Sequence, residues 1–487
     1  MALFLTFDIG TTGLKTALVG DGGLIAVHTV PYTFHSLRPG WAEMPPETYW
    51  KAAVEGTRAV IAAAGISPSM VCGIGFSSQG QTFVPVGKTG LALYDAIVWV
   101  DTRAREIAGE WASSWLSARE YRRISGSPWI PSEHTVFKIA WLARNNPQAH
   151  NAWKFLCLPD YLIYRMTGET VTDRITAQMS GMYNLQSGGW EPRLLAAAGI
   201  NESQLPFVQE PGTAAGMLSP SAADELGISP GIPVCAGAND QIAGAIGAGN
   251  VLPGIATETT GTALAVVVTT PSLIESDTLF VSRHAAPGLG YVMSHATTSA
   301  VILGWLRDTA APGMAFDELT SEAGSVSAGC DGLTVIPHFS GTTMPPNPDA
   351  RGAFIGLTLA HTRAHLARAV MESCACLLQD CLSAVASAGM PCRVVRSVGG
   401  AAKSDLWLQM KADMLGVPME RPACLDGASL GAAMLAAVGT GYFNSLEEAS
   451  EKWYRPSKIF EPDAASFETY HQVYDRYRDL CLRLYGI

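Results

Sequence analysis

The acidic residue Asp240 closes the run Cys235-Ala236-Gly237-Ala238-Asn239, with Gln241 directly after it. Small residues before the carboxylate suit a cleft wall, where one acidic group can accept a proton from a substrate hydroxyl. The amides of Asn239 and Gln241 can donate and accept hydrogen bonds, so they suit neighbouring hydroxyls of the same molecule. Alone, an Asp-Gln pair reads as a tight turn before a helix. Two polar turns elsewhere add to it. Near the N-terminus the apolar run Leu3–Phe7 is broken by Asp8-Ile9-Gly10-Thr11-Thr12-Gly13 and resumes at Leu14–Val19. A hairpin tip of this kind presents the Gly10–Gly13 N–H groups and two threonine hydroxyls in a concave row that binds anions. Glycine lets the backbone come close to such a ligand. Lys15 adds a cation, and Asp8 a carboxylate suited to Mg²⁺, directly or through water. Far along the chain, Thr259-Thr260-Gly261-Thr262 followed by Ala263–Val268 has the same form.

These residues need a scaffold that brings distant turns together. Apolar β-prone runs at Val71–Phe76, Ile97–Val100 and Val394–Val398 predict strands, and Ser77-Ser78-Gln79-Gly80-Gln81 a polar turn after the first. Helices are predicted from Pro45-Pro46-Glu47 to about Ala64 and at Phe137–Arg144, Leu158–Thr167, Arg363–Ala388, Lys403–Leu415 and Gly427–Gly439, with a terminal helix over Phe467–Leu484. Strands alternating with helices indicate an α/β class. In open α/β sheets ligands bind beyond the C-terminal ends of the strands, which places Gln79, Gln81 and Trp99 near a site. Gly244, Gly247, Gly249 and Gly254 form a dense glycine run that reads as a hinge, with close helix packing as the other reading.

Two short motifs are set aside. Val86-Gly87-Lys88-Thr89 ends like a phosphate-binding loop but has Thr82 where the first glycine belongs, so it reads as a hairpin turn. Gly75-Phe76-Ser77-Ser78-Gln79 lacks the second glycine of a serine-hydrolase elbow.

A chain of 487 residues with 48% hydrophobic residues can bury the cores of two or more domains. A net charge of −11 with only 15% charged residues argues against nucleic acid or an anionic membrane as partner. Ten cysteines occur without a Cys-x-x-Cys pair, which fits a reducing cytoplasm. No signal peptide and no sustained apolar run predict secretion or a membrane span.

Asp8-x-Gly-Thr-Thr-x-x-Lys15 resembles the first phosphate motif of the actin-like ATPase superfamily, and Gly237-Ala238-Asn239-Asp240-Gln241 the acidic motif of its FGGY carbohydrate kinases. Ser340-Gly341-Thr342, Pro345 and Pro348-Asp349-Ala350-Arg351-Gly352 are similar to a further segment of that family. Gly399-Gly400-Ala401-Ala402-Lys403-Ser404 is similar to its adenine-side motif. The likeness covers nearly the whole chain and leans towards xylulokinases.

The resemblance implies two ribonuclease-H-like domains flanking a cleft, residues 1–246 binding sugar and residues 247–487 binding nucleotide, the latter including the terminal helix. It implies cytoplasmic, ATP- and Mg²⁺-dependent phosphorylation of a sugar hydroxyl. Asp240 would be the general base and Asp8 the metal ligand. Gly10, Thr11, Thr12, Lys15, Gly261 and Thr262 would cradle phosphates, and Gly400, Ala401 and Ser404 would lie by the nucleotide. Gln79, Gln81, Trp99, Asn239, Asp240 and Gln241 would face the sugar. Trp99 resembles an aromatic residue that packs on the substrate's carbon face in glycerol kinases. The substrate stays open, because Gly80-Gln81 stands where xylulokinases often carry Met-His, and Thr342-Thr343 replaces the family's Glu-Arg. D-xylulose or a related ketose is expected first, then ribulose, glycerol or gluconate. A homodimer is compatible with this reading. An actin-like or chaperone-like ATPase is the alternative of a different class.

Overall fold

The computed structural model describes residues 2–343 and 346–486, so Pro345 of the motif above lies outside the described residues. Two sheets of the same design lie one in each half of the chain. In the first half β1 (Leu3–Ile9), β2 (Gly13–Gly20) and β3 (Gly23–Pro31) form an antiparallel meander. The helix α1 (Pro46–Ala64) crosses over to β4 (Val71–Ser78), parallel to β1, and β5 (Pro233–Cys235) pairs parallel to β4. The helix α2 (Asp240–Gly247) follows.

The second half repeats the plan. The strands β6 (Ile255–Thr260), β7 (Leu264–Thr270) and β8 (Gly290–Ala296) are antiparallel. The helix α3 (Arg363–Ser387) leads to β9 (Val394–Val398), parallel to β6, then β10 (Met419–Pro422), parallel to β9. The helix α4 (Gly427–Gly439) closes the repeat. The strand orders β3-β2-β1-β4-β5 and β8-β7-β6-β9-β10 therefore correspond. Each sheet has an added edge strand beyond each repeat's end where the order allows it: Ala214–Met217 beside β5, Phe280–Arg283 beside β8 and Pro456–Phe460 beside β10.

Local sequence explains these elements. Central β1 is mostly apolar and buried on both faces up to Asp8, while β3 alternates buried and exposed at the edge. Proline occupies the first turn of α1, and Gly65, at φ 62°, ends it by donating its N–H to Ile61 O. The long helix α3 is apolar enough to cross a membrane by length and composition, yet most of it is buried in the core.

The two halves meet through α2 and α4. A Cβ on Gly247 would lie 2.0 Å from Gly427 O, and one on Gly431 would lie 1.8 Å from Ala243 O. The backbones touch because neither helix carries a side chain there. On its other side α4 rests on the first sheet, where a Cβ on Gly75 would meet Ala432 O at 2.3 Å. Gly244 and Gly247 thus lie inside a helix, and at Gly247 the packing reading of the glycine run is the one the structure supports. Gly249 and Gly254, at φ 72° and 82°, are the turn glycines of that run.

Two other strand readings need correction. Ser77 and Ser78 belong to β4 and not to a turn. In Ile97–Val100 only Ala96–Ile97 is a strand, in a small sheet with Glu43–Met44, Phe83–Val86 and Lys154–Cys157, and the chain turns at Trp99. Gly87-Lys88-Thr89 is the expected hairpin turn, closed by Gly87 N–H on Leu91 O at 2.8 Å.

Candidate active site

Asp8, Ser77 and Ala238 lie in one lateral row at the C-terminal edge of the first sheet, because β1 pairs Asp8 with Ser77 and Ala238 pairs with Ser77 from the other side. Asp240 follows two residues later, at the start of α2. Ser77 Oγ donates to Asp8 Oδ1 at 2.8 Å, and Lys15 Nζ lies 3.4 Å from Asp8 Oδ2. Burial raises the pKa of Asp8, with Lys15 opposing the rise. Asp240 is pushed up to about 7, first by desolvation and then by the charge of Asp8, while hydrogen bonds from Gln241 and Asn239 pull it down. A carboxylate held near neutrality is suited to proton transfer at physiological pH.

Asn239 is buried and caps α2 by accepting Gln241 N–H at 3.1 Å, while its amide donates to Ser78 O at 3.4 Å. Both ends of the amide bond protein, which fixes this side chain beside Asp240. Gln241 engages Asp240 through backbone and side chain.

The first phosphate turn is braced from behind. Gly10 N–H donates to Gly13 O at 3.0 Å, so this donor closes the turn and is not offered to a ligand. Gly10 O accepts from Tyr32 OH at 2.8 Å and from Gln79 Nε2 at 3.2 Å. Thr11 Oγ1 donates to Gln79 Oε1 at 3.4 Å. Gln79 is only 5% exposed and grips the turn at both ends of its amide. Its amide thereby braces the Gly10–Thr11 backbone and side chain. Thr12 is exposed at the tip.

The second turn is built alike: Gly261 N–H closes it on Ala263 O at 2.9 Å, and Thr262 is exposed. Beneath it lies a wholly buried polar cluster. Lys411 Nζ stands 2.6 Å from Glu258 Oε1 and 2.8 Å from Thr260 Oγ1, Thr260 donates to Glu258 Oε2 at 2.6 Å, and Ser397 also donates to Glu258.

Gln81 adopts φ 58°, rare for a residue with a side chain, and Thr135 Oγ1 donates to its carbonyl at 3.0 Å. Trp99 is 38% exposed, and its indole N–H donates to Thr11 Oγ1 at 2.8 Å. Its backbone is held by Thr82 Oγ1 at 3.0 Å and by Lys138 Nζ, which donates to Trp99 O at 3.1 Å and Val98 O at 2.9 Å. Lys138 is fully buried, and burial pushes its pKa down to about 7.

On the nucleotide side Gly400 is exposed, with open space where a side chain would be. Ala401 is buried in the core of the second half. Ser404 caps the helix Asp405–Leu415, accepting Trp407 N–H at 3.3 Å. Ala401 thus packs the core and Ser404 caps a helix.

Sequence reasoning passed over Ser77, Lys138, the Glu258–Lys411 pair and Asp426, whose carboxylate lies 3.0 Å from Lys15. Only two left a local signal: Glu258 directly precedes the second turn, and Asp426-Gly-Ala-Ser429 has the spacing of a helix cap.

A family model described as the N-terminal domain of the FGGY family of carbohydrate kinases matches residues 3–247, and the C-terminal domain model of that family matches residues 256–440. The chain is 30% identical to a xylulose kinase of Staphylococcus epidermidis, over 97% of this chain and 95% of that protein. It is 31% identical to a glycerol kinase of Methylibium petroleiphilum, over 93% of this chain and 94% of that one. A solved structure of xylulose kinase from Rhodospirillum rubrum superposes with a TM-score of 0.91 at 29% identity, covering 99% of each chain.

Proposed function

The chain belongs to the FGGY family of carbohydrate kinases, and on that premise we propose that it phosphorylates a ketose, D-xylulose first, with Asp240 as general base. A sugar and ATP are the substrates of such an enzyme. The observation that carries the proposal is the position of Asp240. It stands on the sheet edge beside Asp8 and the Gly10–Lys15 turn, with its pKa pushed up to about 7. The choice of ketose rests on the relatives named xylulose kinase.

In this reading the sugar lies against Trp99, Gln81 and Gln241. Its hydroxyl oxygen forms a bond to the γ-phosphorus, the bridging oxygen leaves with ADP, and the hydroxyl proton passes to Asp240. Thr11, Thr12 and Lys15 hold the phosphates from one side, and Thr262 from the other, with Gly261 letting the backbone come close. This is positioning and charge stabilisation, the main needs of phosphoryl transfer. Asp8 fits a Mg²⁺ role, since one carboxylate together with substrate phosphates is the usual protein share of such a site. Bound there, Mg²⁺ would neutralise phosphate charge. Because the two phosphate turns belong to different halves, closure about the α2–α4 crossing would complete the site and exclude water.

A coupled assay for ADP release over ketoses, polyols and aldonates tests the proposal. It predicts strong stimulation by D-xylulose. Stimulation by glycerol or gluconate alone would reject the ketose, and ATP turnover indifferent to any sugar would reject Asp240 as a base acting on a sugar hydroxyl.

A further inference from the structure

Lys15 is held from both halves of the chain. Its Nζ lies 3.4 Å from Asp8 Oδ2 on β1 and 3.0 Å from Asp426 Oδ2 in the second half. Asp426 directly precedes α4 and caps it, accepting Ser429 N–H at 3.3 Å. The side chains of Lys15, Asp8 and Asp426 are 32%, 18% and 16% exposed, so a ligand can reach them while their charges stay partly shielded from solvent.

Resting on the kinase reading above, we propose that Asp426 is a positioning residue for Lys15. It occupies the ammonium in the nucleotide-free protein and yields it to the phosphates of ATP. Lys15 carries the positive charge of the first phosphate turn and faces two carboxylates. A polyphosphate entering this region meets Asp8, Asp240 and Asp426 as like charges and needs Lys15 as its counter-charge. Asp8 sits on the same hairpin as Lys15, paired with it across β1 and β2, and moves with it. Asp426 is fixed at the start of α4 by the α2 crossing, so the long lysine side chain is the part that swings from it to a phosphate. The helix that Asp426 caps crosses α2, the helix that begins with Asp240. Transfer of Lys15 from Asp426 to phosphate therefore links nucleotide arrival to the placement of α4 beside the base.

The test uses the full-length protein titrated calorimetrically with Mg-ATP in the absence of sugar. Asp426→Asn keeps the capping oxygen, because Asn caps helices as well as Asp, and removes only the charge. Asp426→Ser is a second uncharged cap, in case the first variant folds poorly. Both are expected to bind Mg-ATP about three- to tenfold more tightly than wild type, the size of a partly shielded ion pair. In a Lys15→Met background the Asp426→Asn change should shrink to less than about twofold, because the competition needs the ammonium. Tightening of equal size in both backgrounds would overturn the proposal, since Asp426 would then merely repel ATP. So would unchanged or weaker binding by Asp426→Asn while wild type binds normally, and neither result touches the kinase reading. Failure of wild type itself to bind Mg-ATP would reject that reading and this inference with it.

Discussion

The indole N–H of Trp99 donates to Thr11 Oγ1 at 2.8 Å, so the segment proposed to face the sugar and the turn proposed to hold phosphate are joined by a hydrogen bond. Gln81 has no such tie: its carbonyl is held by Thr135, on the helix Thr135–Asn145. The two residues should therefore separate in kinetics. Trp99→Phe keeps an aromatic face and loses the donor, and should raise KM for ATP about two- to tenfold as well as KM for sugar. Gln81→Ala should raise KM for sugar alone. An unchanged KM for ATP in Trp99→Phe would remove the coupling.

Lys138 is charged at a cost in its buried place. Burial holds its pKa down to about 7 against a usual 10.5. Between these values the unfolded chain binds a proton that the folded chain has lost, so stability rises with pH across that window. Lys138→Met should lose this dependence, and wild type should gain on the variant in Tm as pH goes from 7 to 10. Parallel Tm curves would show that Lys138 titrates normally.

The two halves of the site differ in how far sequence could reveal them. The Asp8–Lys15 hairpin was readable because glycine and threonine between two apolar β-prone runs already define a turn. Alternating strands and helices gave the α/β class, while the pairing of two similar sheets was implied only by the family resemblance. What Gln79 and Asn239 do was hidden, because composition does not say which way an amide points. Trp99 read as strand because Ile97-Val98-Trp99-Val100 is β-prone, but bonds from Lys138 and Thr82, far along the chain from one another, hold a turn there. Asp426 gave only the signal of a helix cap, and its partner Lys15 is near the other end of the sequence.

Glu258 and Lys411 form a pair with no solvent exposure under the second turn. Losing one member strands the other charge, so Glu258→Leu or Lys411→Met should each cost about 3–5 kcal/mol in urea unfolding. The double variant Glu258→Leu with Lys411→Met should recover much of that loss. Simple addition of the two single costs would show that they do not act as a pair.

The α2–α4 crossing makes a contrast between neighbouring glycines. Gly247→Ala would drive a methyl to 2.0 Å from Gly427 O, and should destabilise by about 1–3 kcal/mol or more. At Gly244 the nearest atom to a new Cβ is 4.0 Å away, so Gly244→Ala should be tolerated and gain up to about 1 kcal/mol of helix propensity. Thermal melts of both variants decide this, and equal tolerance would contradict the close crossing.

Asp240→Asn tests the role of the base most directly. The substitution keeps the shape of a side chain that begins α2 and removes its capacity to take a proton. Sugar-dependent turnover should fall by about two to four decades, with Mg-ATP binding retained. In wild type kcat/KM should rise with pH to a plateau above about 7, the pKa to which burial and Asp8 push this carboxyl. Near-wild-type turnover in Asp240→Asn, with the acidic limb still present, would contradict Asp240 as the base.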